Sequence, residues 1–222
     1  EKVFQDNGLT VVARSRAEAV ERTETGVRVE LSGEGAADTP YVEGSHALVA
    51  VGGIPNTAGL GLEDVGVELT ESGHVKVDGV SRTSRPGIYA AGDCTGVLPL
   101  ASVAAMQGRI AMHHALGEAV SPLIAAQVSS AIFTSPEIAV VGVSEQEVAS
   151  GRVRADVLML GLETNPRAKM HGIDEGFVKL LVRPDSHTVL GAVVVAPRAS
   201  ELILPYTLAV AHRLTAEQLA GT

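Results

Sequence analysis

Ala47-Leu48-Val49-Ala50-Val51 is an unbroken apolar run that ends on Gly52-Gly53. A strand with one wet face alternates apolar and polar residues, whereas a run apolar at every position leaves no side for water. Such a strand belongs in a parallel sheet covered on both faces, which points to an α/β fold. The segment before it reads differently. Leu9 to Ala13 is a short apolar run, and residues 17–23 and 26–31 are strand-like, with Val27, Val29 and Leu31 alternating with Arg28 and Glu30. Residues 33–40 carry Gly, Asp and Pro turn chemistry, so a β-meander is expected ahead of the buried strand.

Beyond Gly53, the alternating Val65, Val67, Leu69 and Val75, Val77 sit among closely spaced glycines and read as small strands and turns. After the Arg85-Pro86-Gly87 turn, Ile88 to Ala91 is a short strand that ends on Gly92-Asp93. A helix is predicted over 99–116, with Pro99 at its first turn and Gly117 as its stop. Residues 118–130 connect it to an α+β region starting near Ile132. Strands are expected at 138–143, 156–162, 177–182 and 189–195, the last two joined by a hairpin turn at 183–188. Ser144 with Glu147 forms a capping box for a helix ending near Ser150. Residues 200–214 read as a helix apolar on nearly all sides, which needs a core or a partner chain to cover it. The chain opens in an amphipathic helix without an initiator Met and closes in the helix-like 214–220. Both ends are expected to fall within ordered structure, as in a piece of a longer protein.

Several function classes drop out on composition. Seventeen Lys and Arg against 26 Asp and Glu leave a net charge of −9, which disfavours nucleic acid and anionic membrane surfaces as partners. Cys94 is the single cysteine, so no intrachain disulfide forms, and the N-terminal residues have no signal-peptide pattern; a cytoplasmic setting is expected. No apolar run reaches the roughly 18 residues that a membrane-crossing helix needs.

Two places can carry chemistry. In open α/β sheets ligands bind at the carboxyl ends of the strands, and Asp93 stands at such an end with Gly92 permitting close backbone approach. The helix that follows, entered through Leu100-Ala101-Ser102, directs unpaired N–H groups and a positive dipole end at whatever lies above it. From these residues alone, Asp93 as a plain helix cap is an equally good reading. Gly52-Gly53 suits close contact with a flat ligand, although a domain crossover explains it as well. Elsewhere the plain readings win. His113 and His114 are adjacent and diverge on a helix, Cys94 reads as a small buried hydrophobe, and Arg167 and Lys169 read as structural ion pairs. Asp174-Glu175 reads as a turn, and Glu201 favours its helix start.

Together these segments resemble the flavoprotein disulfide reductase (pyridine nucleotide–disulfide oxidoreductase) family, in its lipoamide-dehydrogenase-like branch. The resemblance rests on Val51-Gly52-Gly53-Ile54-Pro55-Asn56-Thr57, then Pro86 to Asp93, then Phe133-Thr134-Ser135-Pro136-Glu137-Ile138-Ala139-Val140-Val141-Gly142. Arg167-Ala168-Lys169 with Gly176-Phe177-Val178-Lys179, and Ser200-Glu201-Leu202-Ile203, complete it in the same order. It implies an α/β fold: the C-terminal part of a two-Rossmann-domain FAD- and NAD(P)-binding flavoprotein plus an α+β dimerisation (interface) domain. Residues 1–50 would end the NAD(P) domain, 51–120 form the second segment of the FAD domain, and 121–222 form an incomplete interface domain. Asp93, after Gly92, would bind the FAD ribitol. The backbone at Leu100, Ala101 and Ser102 would meet the flavin pyrimidine edge, and Gly52 would lie beside NAD(P)H. A homodimer is implied, with a small-molecule electron acceptor, quinone or disulfide.

The departures from the family pattern are informative. No G-x-G-x-x-G follows a strand, and Cys94 has no partner for a redox pair. Gly53 stands where the family commonly has Arg, and Ser102 where it often has His. With Asn165 to Gly172, these look closer to the subgroup that lacks redox thiols and reduces quinones with NAD(P)H. The expected activity is therefore hydride transfer from NAD(P)H to FAD and onward to a quinone. The alternatives are dihydrolipoamide dehydrogenase or another disulfide reductase of this fold, and a catalytically silent dimerisation and partial FAD-binding module.

Overall fold

The computed structural model describes residues 2–221; Glu1 and Thr222, the outer limits of the first and last expected segments, lie outside them. The chain separates into two compact units, Glu1–Gly53 and Ile54–Thr222.

In the first unit, helix α1 (Lys2–Asp6) leads into an antiparallel meander of β1 (Arg16–Arg22), β2 (Val27–Ser32) and β3 (Tyr41–Gly44). The alternation at Val27, Val29 and Leu31 thus belongs to the central strand. Across the β2–β3 register Arg28 meets Glu43 at 2.7 Å, and its guanidinium lies over the Tyr41 ring. Leu9 to Ala13 forms no strand, and β3 is too short for alternation to reveal it. The expected buried strand at 47–51 is not one either: Leu48 is 93% exposed and Val51 87%. A strand is a relation between segments, and among the described residues none pairs with this run. Its apolar content records a demand for neighbours that these residues do not meet.

The second unit begins with a turn-rich stretch. Leu69 bridges Val75, Val77 bridges Thr83, and Arg82 bridges Tyr89, around buried Val67 and Val75. Ile88 to Ala91, expected as a strand of a parallel sheet, makes among the described residues only the Tyr89 bridge, for the same lack of flanking strands. Helix α2 (Ala101–Ala115) follows and closes as the sequence requires: Gly117, at φ 81°, donates to the His114 carbonyl and Glu118 to that of His113. This pairing satisfies helix-end carbonyls that would otherwise lack donors.

The rest is an antiparallel sheet of β4 (Ser130–Ile132), β5 (Glu137–Gly142), β6 (Asp156–Gly161), β7 (Phe177–Val182) and β8 (Val189–Ala196), ordered β4-β5-β8-β7-β6. Between β5 and β6 comes α3 (Glu145–Ala149), with its Ser144–Glu147 capping box intact, and before β7 comes α4 (Pro166–Met170). The apolar segment 200–214 is two helices, α5 (Ala199–Leu202) and α6 (Leu204–His212), followed by α7 (Ala216–Ala220). The single expected helix breaks because Pro205 has no N–H to give the preceding turn and so starts a new one. Ala199, Ile203 and Ala209 press onto Ala139, Ala192, Val194 and Val189, which gives the sheet its core. Among the described residues no helix is long and apolar enough to cross a membrane.

Glu137, at the start of β5, accepts hydrogen bonds from the Ser200 N–H at 2.9 Å and the Ser200 hydroxyl at 2.7 Å, tying the sheet to α5. The hydroxyl and amide of Ser200 hold its carboxyl below the ordinary carboxylate range. A depressed pKa contributes stability above the unfolded-state value, and that stability is lost as the pH falls through the folded-state value. Denaturant titrations of wild type and Glu137→Gln are therefore expected to differ at neutral pH and to converge in acid. A gap that stays constant down to low pH would contradict this.

Candidate functional site

The turn carrying Asp93 is assembled from backbone bonds and one buried amide. Thr83 donates to the Ile88 carbonyl at 3.0 Å, Ala90 to Ser81 at 3.1 Å, and Val75 to Cys94 at 2.8 Å. Gly92 has φ 93° and ψ −162°, a region in which side chains are strained. Asp93–Thr95 forms a single 3-10 turn that closes on left-handed Gly96. The Thr95 hydroxyl donates to the Gly92 carbonyl at 2.8 Å, and the Gly92 N–H donates to Gln107 Oε1 at 2.8 Å.

The Asp93 side chain is exposed, and its carboxylate makes no hydrogen bond or ion pair with any described residue. It does not cap α2. The N-cap position belongs to Leu100, in an extended conformation with no side-chain cap bond. The helix-cap reading of Asp93 therefore fails, and the first N–H groups of α2, around Ala101 and Ser102, lack side-chain acceptors. Ser102, Val103 and Met106 line a groove of about 430 Å³ together with Pro122, Leu123 and Gln127. The turn and the helix start thus offer an acceptor-only carboxylate and a set of donors, which suits a ligand rich in hydroxyls that also carries an electron-rich edge.

Gly92, Asp93, Leu100, Ala101 and Ser102 all lie in the second unit, and Gly52 lies in the first. Gly52 has φ 108°, and a Cβ placed there would meet nothing within 4 Å. The expected ion pairs of Arg167 and Lys169 do not form among the described residues; both side chains are exposed. Cys94 is half-buried, and its thiol faces the Ala91 carbonyl at 3.5 Å. His113 pairs with Glu118 and His114 with the Tyr89 hydroxyl, so the adjacent histidines point to different partners. Among the described residues no cluster of three or more His, Cys, Asp or Glu could hold a metal ion.

Gln107 and Thr95 escape a reading by motif. The available signal is spacing: Val103, Gln107, Ile110 and Ala111 form the buried stripe of α2, and Gln107 is its one polar member.

The chain is similar to known proteins along most of its length. The model of the pyridine nucleotide-disulphide oxidoreductase family matches residues 1–108, and that of its dimerisation domain matches 128–222. An NAD(P)H dehydrogenase (quinone) of Mycobacterium tuberculosis is 53% identical over the whole chain, which covers 44% of that protein. A mercuric reductase of Streptomyces lividans is 37% identical, and a dihydrolipoyl dehydrogenase of Geobacillus stearothermophilus 33%; the chain covers 46% of each. Among solved structures, LpdA from Mycobacterium tuberculosis superposes with a TM-score of 0.87 at 53% identity, over all of this chain and 47% of that one. The chain therefore spans about half the length of the relatives it matches.

Proposed function

Because this chain belongs to the pyridine nucleotide-disulphide oxidoreductase family, we propose that it forms part of an FAD-dependent NAD(P)H oxidoreductase whose acceptor is a quinone. The observation that carries the reading is an Asp93 carboxylate without partners among the described residues, together with a start of α2 that has no side-chain cap. These residues fit the cofactor. Asp93 offers only acceptors, as the ribityl hydroxyls require, and Gly92 keeps side-chain atoms away from that approach. The Leu100 N–H is held by the Leu98 carbonyl at 2.8 Å, so it is the N–H groups at Ala101 and Ser102, in the turn that Leu100 opens, that offer donors and a positive dipole end to the pyrimidine edge, where reduction places negative charge. Bound there, FAD supplies the chemistry of accepting a hydride from NAD(P)H and passing electrons to the acceptor. Gly52 is assigned to the NAD(P)H side, where a bare backbone admits a flat ring.

The division into residues 1–50 for NAD(P) binding, 51–120 for FAD and 121–222 for dimerisation is part of the same proposal. The match of 128–222 to a dimerisation domain supports a homodimer, as does the exposure of Phe133, Leu204 and Leu208. A quinone is favoured as acceptor by the relative at 53% identity and by Gly53 and Ser102. A disulfide acceptor is the second reading, supported by the dihydrolipoyl dehydrogenase match over the same span.

The test is on the intact protein. It is expected to purify yellow with stoichiometric FAD and to oxidise NAD(P)H with a quinone faster than with lipoamide. Colourless protein would overturn the flavin reading, and a preference for lipoamide would move the assignment to the second acceptor.

A further inference from the structure

We propose that Gln107 is a positioning residue for Asp93: its buried amide fixes the Gly92–Thr95 turn and so sets the direction of the carboxylate. The inference rests on the assignment of Asp93 to the FAD ribityl chain.

Gln107 is 2% exposed and sits in the apolar stripe of α2 between Val103 and Ile110. Packing alone would be served there by Leu or Met, and a buried amide without partners is costly. Its partners are all on one turn. Oε1 accepts the Gly92 N–H at 2.8 Å, and Nε2 donates to Thr95 Oγ1 at 3.2 Å. The same hydroxyl donates to the Gly92 carbonyl at 2.8 Å. Both backbone groups of Gly92 are therefore held, one directly and one through Thr95, in a conformation a glycine leaves readily. Asp93 is the next residue, and among the described residues nothing holds its side chain. Its direction follows from the turn alone.

Removal of the amide leaves a buried N–H unpaired and lets the turn relax, which lowers the fraction of molecules whose Asp93 meets the ligand. The apparent FAD affinity falls by that fraction. In the intact flavoprotein, stripped of FAD and titrated with it by flavin fluorescence, Gln107→Leu is expected to weaken binding by about ten-fold. Gln107→Glu keeps an acceptor for Gly92, and burial favours its protonated form, whose O–H can face Thr95; it is expected to stay within about three-fold of wild type.

The decisive comparison is in an Asp93→Ala background. If Gln107 acts through Asp93, Gln107→Leu there costs less than about two-fold further. Additive losses, as from a merely structural role, would overturn the proposal. Should Gln107→Leu fail to fold, Thr95→Val removes the hydroxyl bridge at nearly constant shape. Its expected loss is about three-fold, and it too should vanish without Asp93. If Asp93→Ala leaves FAD binding intact, the flavin assignment itself falls and this inference with it. If Asp93→Ala weakens binding while Gln107→Leu does not, only the inference on Gln107 is overturned.

Discussion

Asp93→Ala is expected to weaken FAD binding by about 10–100-fold while leaving the fold unchanged. Hydrogen bonds to a charged group contribute about 1.5–3 kcal/mol each, and a carboxylate facing hydroxyls can accept more than one. The carboxylate makes no bond to any described residue, so its removal strands no protein donor. The thermal midpoint of the FAD-free protein should therefore stay within error of wild type. Asp93→Asn keeps one acceptor oxygen but loses the charge, and should fall between the two. The check is a fluorescence titration of each FAD-stripped protein, paired with its melting curve. Equal affinity in wild type and Asp93→Ala would remove the carboxylate from the cofactor site, and a lowered midpoint would mean that Asp93 supports the turn.

The second large effect is on stability. Gly191 lies in β8 at the centre of the five-stranded sheet, opposite Gly142 of β5. A Cβ at Gly191 would stand 2.2 Å from the Val143 carbonyl oxygen and 2.8 Å from the Val143 nitrogen. Both are backbone atoms, so no side chain can swing aside. Relief requires parting β5 from β8, which carry buried Ala139, Val141, Ala192 and Val194. Gly191→Ala is expected to cost about 3 kcal/mol or more, at the upper end for overpacking. Denaturant unfolding of the intact protein would show it as a lower midpoint or as loss of soluble material. Wild-type stability would mean that the two strands can move apart cheaply.

What could be read from the chain was what is decided locally. The Ser144–Glu147 box, the Gly117 exit of α2 and the 183–188 turn each depend on residues within a few positions, and each is in place, whereas Pro99 falls one residue before the Leu100 N-cap instead of in the first turn of α2. The runs 47–51 and 88–91 form no strands because a strand needs neighbours, and apolarity reports only the need. The break in 200–214 was legible in Pro205, but the surrounding leucines and alanines carried the helical pattern across it. At the site, Gly92 and Asp93 were readable because the turn constrains residue type. Gln107 was not, since its role rests on a side chain meeting a backbone fifteen positions away.

Helix α2 presents its first turn at Leu100–Ser102 and, further along, grips the Gly92 turn through Gln107. One rigid rod is thus fastened to both halves of the proposed cradle. A tilt of that rod shifts the donors and the acceptor together, so their spacing is preserved where two independent loops would drift apart. Repacking beneath the rod, at Val103 or Ile110, is consequently felt as a translation of the whole grip.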